Sequence, residues 1–330
     1  METSIENYLD SLRLGEAQVY RNIILFPLHI TANGSPVYVT LAEAIQARTL
    51  TVTEVSQSGS VPELLVVNQG DQPVLLLDGE ELLGAKQNRV LNTTILLREK
   101  SETKIPVSCT EHGRWAYSSA QFSSSDVIME KKIRARKSQT VSESLVSGFS
   151  FRSDQGQVWA GIAALQAKSG SHSPTGAMQD TFKTYVNDLK ACLEAFPQVP
   201  GQQGSLVLIN GRVEGFDVIS RAEAYGHLHA KLVRSYVLEG LLEQRKVETG
   251  APQAQAEAQA FLDSLAQAKE TKFQSIGYGW DYRFNGDHIA GSILVHENHV
   301  IHAAFFRMDP SENQSHMASL RQRRHRFADQ

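Results

Sequence analysis

Between Asp78 and Trp115 a polar block is set among short apolar runs, and this alternation constrains the chain more than any other feature. The apolar runs Glu63–Val67 and Pro73–Leu77 are dense, four to five residues long and bounded by turn residues such as Asn68-Gln69-Gly70-Asp71. That is the pattern of strands buried in a sheet, and it is too short for helices. Such strands usually run into turns of Ser, Lys and Gly. Here they run into Asp78, Glu80 and Glu81, then Gln87, Asn88, Arg89 and Asn92, then Cys109, Glu111, His112, Arg114 and Trp115. Amides, guanidinium groups and carboxylates set in apolar surroundings are the groups that fix a polar ligand in a pocket.

The rest of the chain reads as α+β. Ser4–Leu12 has the spacing of a short helix, Ala17–Pro27 is strand-like, and Thr49–Val55 alternates at period two. Segments 89–98 and 104–109 read as two further strands, so the N-terminal part is β-rich. The Ser-rich stretch 118–125 reads as a connector and a candidate internal boundary. A helical middle follows, over 126–146, 154–167 and 178–196. Ser205–Asn210 reads as a strand, and Asn210-Gly211 predicts a hairpin returning over 212–219. Two helices, over 221–242 and 252–269, precede an antiparallel strand set over 273–306. Residues 1–310 are expected to form one large α+β domain, with 311–330 a polar, Arg-rich tail. The stretches 74–84 (VLLLDGEELLG) and 206–215 (LVLINGRVEG) echo one another, as two similar strand–turn–strand units or by chance.

Composition narrows the function classes. With 330 residues, 41% hydrophobic and 21% charged, the chain has enough apolar material for a large core. A formal net charge of −4 and an isoelectric point near 6.3 argue against a general nucleic-acid binder. Two cysteines, Cys109 and Cys192, are too few for a disulfide framework and fit a reducing cytoplasm. The acidic, polar start has no apolar core of a signal peptide, and the longest apolar runs are far short of a membrane span.

Each constellation has a functional and a structural reading. Asp78-Gly79-Glu80-Glu81 could hold a divalent cation or supply a general base; the competing reading is a turn that opens a helix with acids at its N-terminus. Gln87-Asn88-Arg89 could read a heterocycle edge and clamp a phosphate, or be the wet side of an edge strand. Cys109 has His112 and Arg114 nearby in sequence, but Arg114 follows too early for a phosphatase or rhodanese cysteine loop, and a packed thiol is the commoner state. His296 and His299 flank a two-residue turn, with His288 and His302 nearby, which would suit zinc if their nitrogens converged. The basic run from Lys131 to Lys137 reads as a solvated helix face. There is no glycine-rich dinucleotide fingerprint, no P-loop and no nucleophile elbow.

Three strings, GEELLGAKQNRVLNTTILL, IPVSCTEHGRWAY and DQGQVW, occur in order and carry a resemblance. The chain resembles the ADP-ribosylglycohydrolase- and rhodanese-phosphatase-superfamily-associated domain family. The matching polar positions are Glu80, Gln87, Asn88, Arg89, Asn92, Glu111, Arg114, Trp115, Gln155 and Trp159. The resemblance implies a place in NAD- or ADP-ribose-linked metabolism and supplies no mechanism. On that basis the expected ligand is ADP-ribose or a related phosphorylated nucleotide. Arg89 and Arg114 would hold phosphates, Gln87 and Asn88 would read polar edges, Trp115 would stack, and Asn92 is also expected to bind the ligand. Glu80 or Glu111 would act as general base, with or without a divalent metal. The alternative is a non-enzymatic interaction or scaffold module that works with ADP-ribosylation enzymes.

Overall fold

The computed structural model describes residues 1–309, apart from 32–33, 244–246, 248 and 287; the Arg-rich tail lies outside the described residues. Among the described residues three sheets are present. The largest has nine strands, in the order Leu12–Leu14, Ile23–Ile30, Gly204–Ile209, Arg212–Ile219, His299–Arg307, Ile289–His296, Trp280–Asn285 and Lys269–Gln274, with Gln18–Tyr20 also paired to Ile23–Ile30. A six-stranded sheet runs Phe122–Ile128, Glu80–Gly84, Arg89–Leu91, Ser101–Cys109, Glu63–Asn68 and Leu50–Glu54. A three-stranded sheet joins Ile95–Leu97, Val74–Leu76 and Val39–Thr40.

The apolar runs of the large sheet are continuous because both of its faces are covered. Val207 and Ile209 face a core shared with helices Lys131–Val146, Gln155–Ser169, Met178–Thr184, Val186–Ala195 and Ala222–Leu242. Leu206 and Leu208 face the other way, against helices Thr3–Asp10 and Ala251–Ser264. The six-stranded sheet has its own core around Val52, Leu64, Val66, Leu82 and Val107. Tyr38, Leu75, Leu77 and Leu96 then pack against Tyr225, Leu228, Leu232, Leu294 and Ile301, which ties the two β regions together.

Several local expectations are corrected. Asp78 does not open a helix: Glu80–Gly84 is a strand, held between Arg89–Leu91 and Phe122–Ile128. Pairing on both sides outweighs the helix-friendly composition of Glu-Glu-Leu-Leu. Segment 89–98 is two short strands in different sheets, broken at Asn92-Thr93-Thr94. The Ser-rich stretch expected as a connector is partly strand, since Phe122 to Ser124 pair with Gly84 to Leu82. The sequence echo is not a structural one. Leu208 to Arg212 is a hairpin turn within one sheet, whereas Val74–Leu76 and Glu80–Gly84 belong to different sheets.

Candidate functional site

The break at Asn92–Thr94 feeds a fully buried ion network. Arg134 Nε donates to Asp78 Oδ2 at 2.9 Å, and its two terminal nitrogens grip both oxygens of Asp217 at 2.9 and 2.6 Å. Lys137 pairs with the other oxygen of Asp78 and donates to the carbonyls of Leu91 and Asn92. Tyr236 donates to Asp217 at 2.7 Å, and His302 bridges Asp217 (3.0 Å) and Thr94 (2.9 Å). Arg283 is bound to Asp281 and Thr93. Burial opposes ionisation of Asp217, but the Arg134 charge and the His302 hydrogen bond hold its carboxyl far below the usual range. Asp78 is likewise held low, against burial, by Lys137 and Arg134. Gly79, at φ +79°, makes room for this: a Cβ there would lie 2.9 Å from Arg134 Cδ.

This network corrects two expectations. The acid Asp78 is an ion-pair partner and not part of a cation cage. The basic run is not a solvated face, because Lys131, Arg134 and Lys137 are all buried. Their partners lie 56 to 83 residues away or more, beyond the reach of local pattern. Thr94, His302 and Asp217 have the hydrogen-bond order of a nucleophile triad. All three are buried, however, and Thr94 also accepts the backbone N–H of Asp78 at 3.1 Å. The network ties the large sheet to helices Lys131–Val146 and Ala222–Leu242, through Arg134, Lys137 and Tyr236.

A different chemistry gathers at one end of the six-stranded sheet, where Arg89 opens its strand and Glu54 closes another. Arg89 is fully buried, and its Nη1 donates to Gln87 Oε1 at 2.9 Å. Its Nε and Nη2 have no hydrogen-bond partner, and neither does Glu54 Oε2. The closest approach of the two residues, Nη2 to Glu54 Oε1, is 3.8 Å, too long for a hydrogen bond. Above them Trp115 is 48% exposed, its ring centre 5.7 Å from Arg89 Cζ and 5.3 Å from Lys86 Nζ. The half-exposed Tyr117 ring also lies 5.2 Å from Lys86 Nζ. Two cations therefore sit beneath two aromatic rings, with unpaired donors on the buried one.

Arg114 builds the loop that carries these rings. It binds Glu111 Oε2 through Nε (2.9 Å) and Nη2 (2.6 Å), and it also donates to the carbonyls of Ala85 and Ala116 and to Asn88 Oδ1. Glu111 further accepts from Thr175 at 2.8 Å and from the backbone N–H of Asn88 at 3.2 Å. Burial works against the Glu111 carboxylate, but the Arg114 and Thr175 hydrogen bonds hold it below the ordinary carboxylate range. Gln155 pairs its amide with both the N–H and the carbonyl of Cys109, at 2.8 and 2.9 Å, much as a neighbouring strand would. Trp159 stands edge-on to His112, ring centres 4.5 Å apart.

The sequence model of the ARG and Rhodanese-Phosphatase-superfamily-associated Protein domain, ARPP-1, matches residues 11–306, from the first strand of the large sheet to the last. The chain belongs to this family. The name of the ARPP-1 domain associates it with ADP-ribosylglycohydrolase systems, which is a coarse link and not an activity. No curated protein and no solved structure matches the chain.

In this ARPP-1 domain Gln87, Asn88, Arg89, Glu111, Arg114 and Trp115 come together around the 86–89 and 111–117 segments. Glu80 does not join them: Lys231 donates to it at 2.9 Å, and it accepts the backbone N–H of Leu77. Asn92 is also elsewhere, between Ser108 (2.6 Å) and the carbonyl of Phe151 (3.0 Å). Cys109 is buried, which pushes its thiol up despite the Arg89 charge. The four histidines face four surroundings: His302 the ion network, His296 a stack on Tyr278, His299 and His288 two separate cavities. The zinc reading is thus corrected. Among the described residues no group of three or more His, Cys, Asp or Glu is arranged to hold a metal ion.

Sequence reasoning missed Glu54, Lys86 and Tyr117. Glu54 was findable, since it shares the buried face of its alternating strand with Leu50 and Val52. A separate cleft of about 180 Å³ opens among the helices, where Lys132 and Lys168 share Glu239 Oε1 at 2.5 and 2.8 Å. It lies among residues that the sequence marks only as helical.

Proposed function

We propose that this ARPP-1 domain binds a phosphorylated nucleotide of the ADP-ribose class at the Arg89–Trp115 site, as part of an ADP-ribosylglycohydrolase-linked system. The observation that carries the reading is the buried Arg89 guanidinium with two nitrogens lacking hydrogen-bond partners. Leaving such donors unmade costs on the order of 1–3 kcal/mol, so an occupant with acceptor oxygens offsets a standing penalty. A phosphate suits that role, because it accepts from adjacent guanidinium nitrogens. Trp115 and Tyr117 would stack on the base, and Lys86 would add charge beside the phosphates. Gln87 orients Arg89, while Asn88, Glu111 and Arg114 position the loop. Because Arg89 is covered, entry requires the Trp115 segment to move aside; residues 111–121 contain neither helix nor strand.

We assign no chemical step. Glu80 and Glu111 are both engaged in ion pairs, and this same observation favours the second reading, a scaffold module whose half-exposed Trp115 and Tyr117 meet a protein partner. A thermal-shift series with ADP-ribose, AMP, NAD and orthophosphate, with and without Mg²⁺, separates the two. Ligand at a hundredfold excess over Kd should add roughly 2.7 kcal/mol of stability. No shift with any of the four would reject the binding reading.

A further inference from the structure

Buried side-chain atoms without partners gather in a second place. Ser4 Oγ, Tyr8 Oη and His299 Nδ1 have no hydrogen-bond partner, and all three residues line one cavity of about 260 Å³. Ser4, Asn7 and Tyr8 are spaced i, i+3 and i+4 along helix Thr3–Asp10, so they share one face. His299 is delivered from across the cavity by the turn at Glu297-Asn298, both at positive φ (49° and 63°). Gly34, at φ +88°, lets the chain pass the imidazole, since a Cβ there would lie 3.1 Å from His299 Nε2.

Gln203 and Ser220, which also line the cavity, are already satisfied. Gln203 Nε2 donates to the Ser220 carbonyl at 2.6 Å, and the Ser220 hydroxyl joins Ser35 at 2.8 Å and Tyr38 at 2.7 Å. The unpaired atoms are therefore not waiting on one another. Two are hydroxyls and one is an imidazole nitrogen, and each can donate or accept. A hydroxyl group on an occupant has the same double capacity. No Asp, Glu, Lys or Arg lines the cavity among the described residues, so nothing there compensates a charged ligand. By liquid volume the space holds roughly eight waters, or one molecule of pentose size.

We propose that this cavity binds a neutral, polyhydroxylated molecule of pentose size, held by Tyr8, Ser4 and His299. The site is independent of the Arg89–Trp115 reading. The test uses the full chain with D-ribose and D-xylose as probes, followed by saturation-transfer NMR and calorimetry, on wild type, Tyr8→Phe and Trp115→Ala. Tyr8→Phe removes only the hydroxyl. It should weaken sugar binding tenfold or more and leave Tm unchanged or raised, because the lost atom has no partner in the free protein. Trp115→Ala should bind the sugar as wild type does. Absence of saturation transfer from wild type to both sugars, meaning a cavity that holds water only, overturns the proposal. So does undiminished binding to Tyr8→Phe, a lowered Tm in that variant, or loss of sugar binding in Trp115→Ala.

Discussion

Arg89 holds its guanidinium carbon 5.7 Å from the centre of the Trp115 ring, with two of its nitrogens lacking hydrogen-bond partners and Glu54 just out of reach. If those nitrogens serve a phosphate, their fork geometry matters and their charge alone does not suffice. Arg89→Lys keeps a cation beside Glu54 but loses the fork. It is expected to weaken ADP-ribose binding by roughly 10- to 100-fold, the loss of one or two charge-assisted hydrogen bonds, while the fold is retained. Calorimetry alongside a thermal melt checks both halves of that statement.

The ion network makes a separate demand on stability. Arg134→Met would leave Asp78 short of one partner and Asp217 with only Tyr236 and His302, in a site closed to water. The expected cost is about 3–5 kcal/mol, read as a lower urea midpoint at unchanged slope. Asp78 and Asp217 both have depressed carboxyls. Depressed acids contribute stability that is present above their unfolded pKa, 3.8, and is lost as pH falls below it. Wild type should therefore lose stability steeply below pH 4, and Arg134→Met less steeply.

Glu81 runs the other way. Burial pushes its carboxyl up to about 7, against the hydrogen bonds from Thr110 and Ser125. An acid raised in the folded state stays protonated while the unfolded chain ionises, so stability falls as pH rises from about 4.5 to 7. Glu81→Gln keeps the shape of the neutral acid and should remove that part of the decline, a gain of up to roughly 3 kcal/mol at pH 8 and little change at pH 4. Urea melts across that range would show a flatter profile for the variant; parallel profiles would count against a neutral buried Glu81.

Both cysteines are buried, and burial raises both thiols, that of Cys192 to about 11. The native protein at pH 7.5 should therefore react with neither a disulfide reagent nor iodoacetamide on the timescale of minutes, and the denatured protein should release two thiols. Rapid modification of Cys109 in the native state would reopen its reading as a nucleophile.

Much of the fold was legible wherever the signal is local. The hairpin at Asn210-Gly211 pairs Ile209 with Arg212, and the turn at Glu297-Asn298 pairs His296 with His299, as their turn residues imply. The α+β class follows from the same periodicities. The two segments of the polar block, Gln87-Asn88-Arg89 and Glu111–Trp115, are neighbours in space because they leave adjacent strands. What could not be read is long-range pairing. Lys131, Arg134 and Lys137 look like a solvated face until Glu214 and Asp217 arrive from a distant strand and Asp78 from a distant turn. Glu80 and Glu81 are neighbours in sequence, yet one is held by Lys231 and the other by Thr110 and Ser125, since a strand sends successive side chains to opposite faces.

The most direct test of the central claim is calorimetric titration of ADP-ribose into wild type and Trp115→Ala. Trp115 is half-exposed, so its removal should cost only its contacts with Arg89 and Lys86, about 1–2 kcal/mol, and leave the fold intact. Loss of base stacking should nevertheless weaken binding by roughly 1–3 kcal/mol, or about 5- to 150-fold. Saturable binding to wild type with that loss in the variant is the predicted result. No heat of binding to wild type, or equal affinity in the two proteins, would contradict the account.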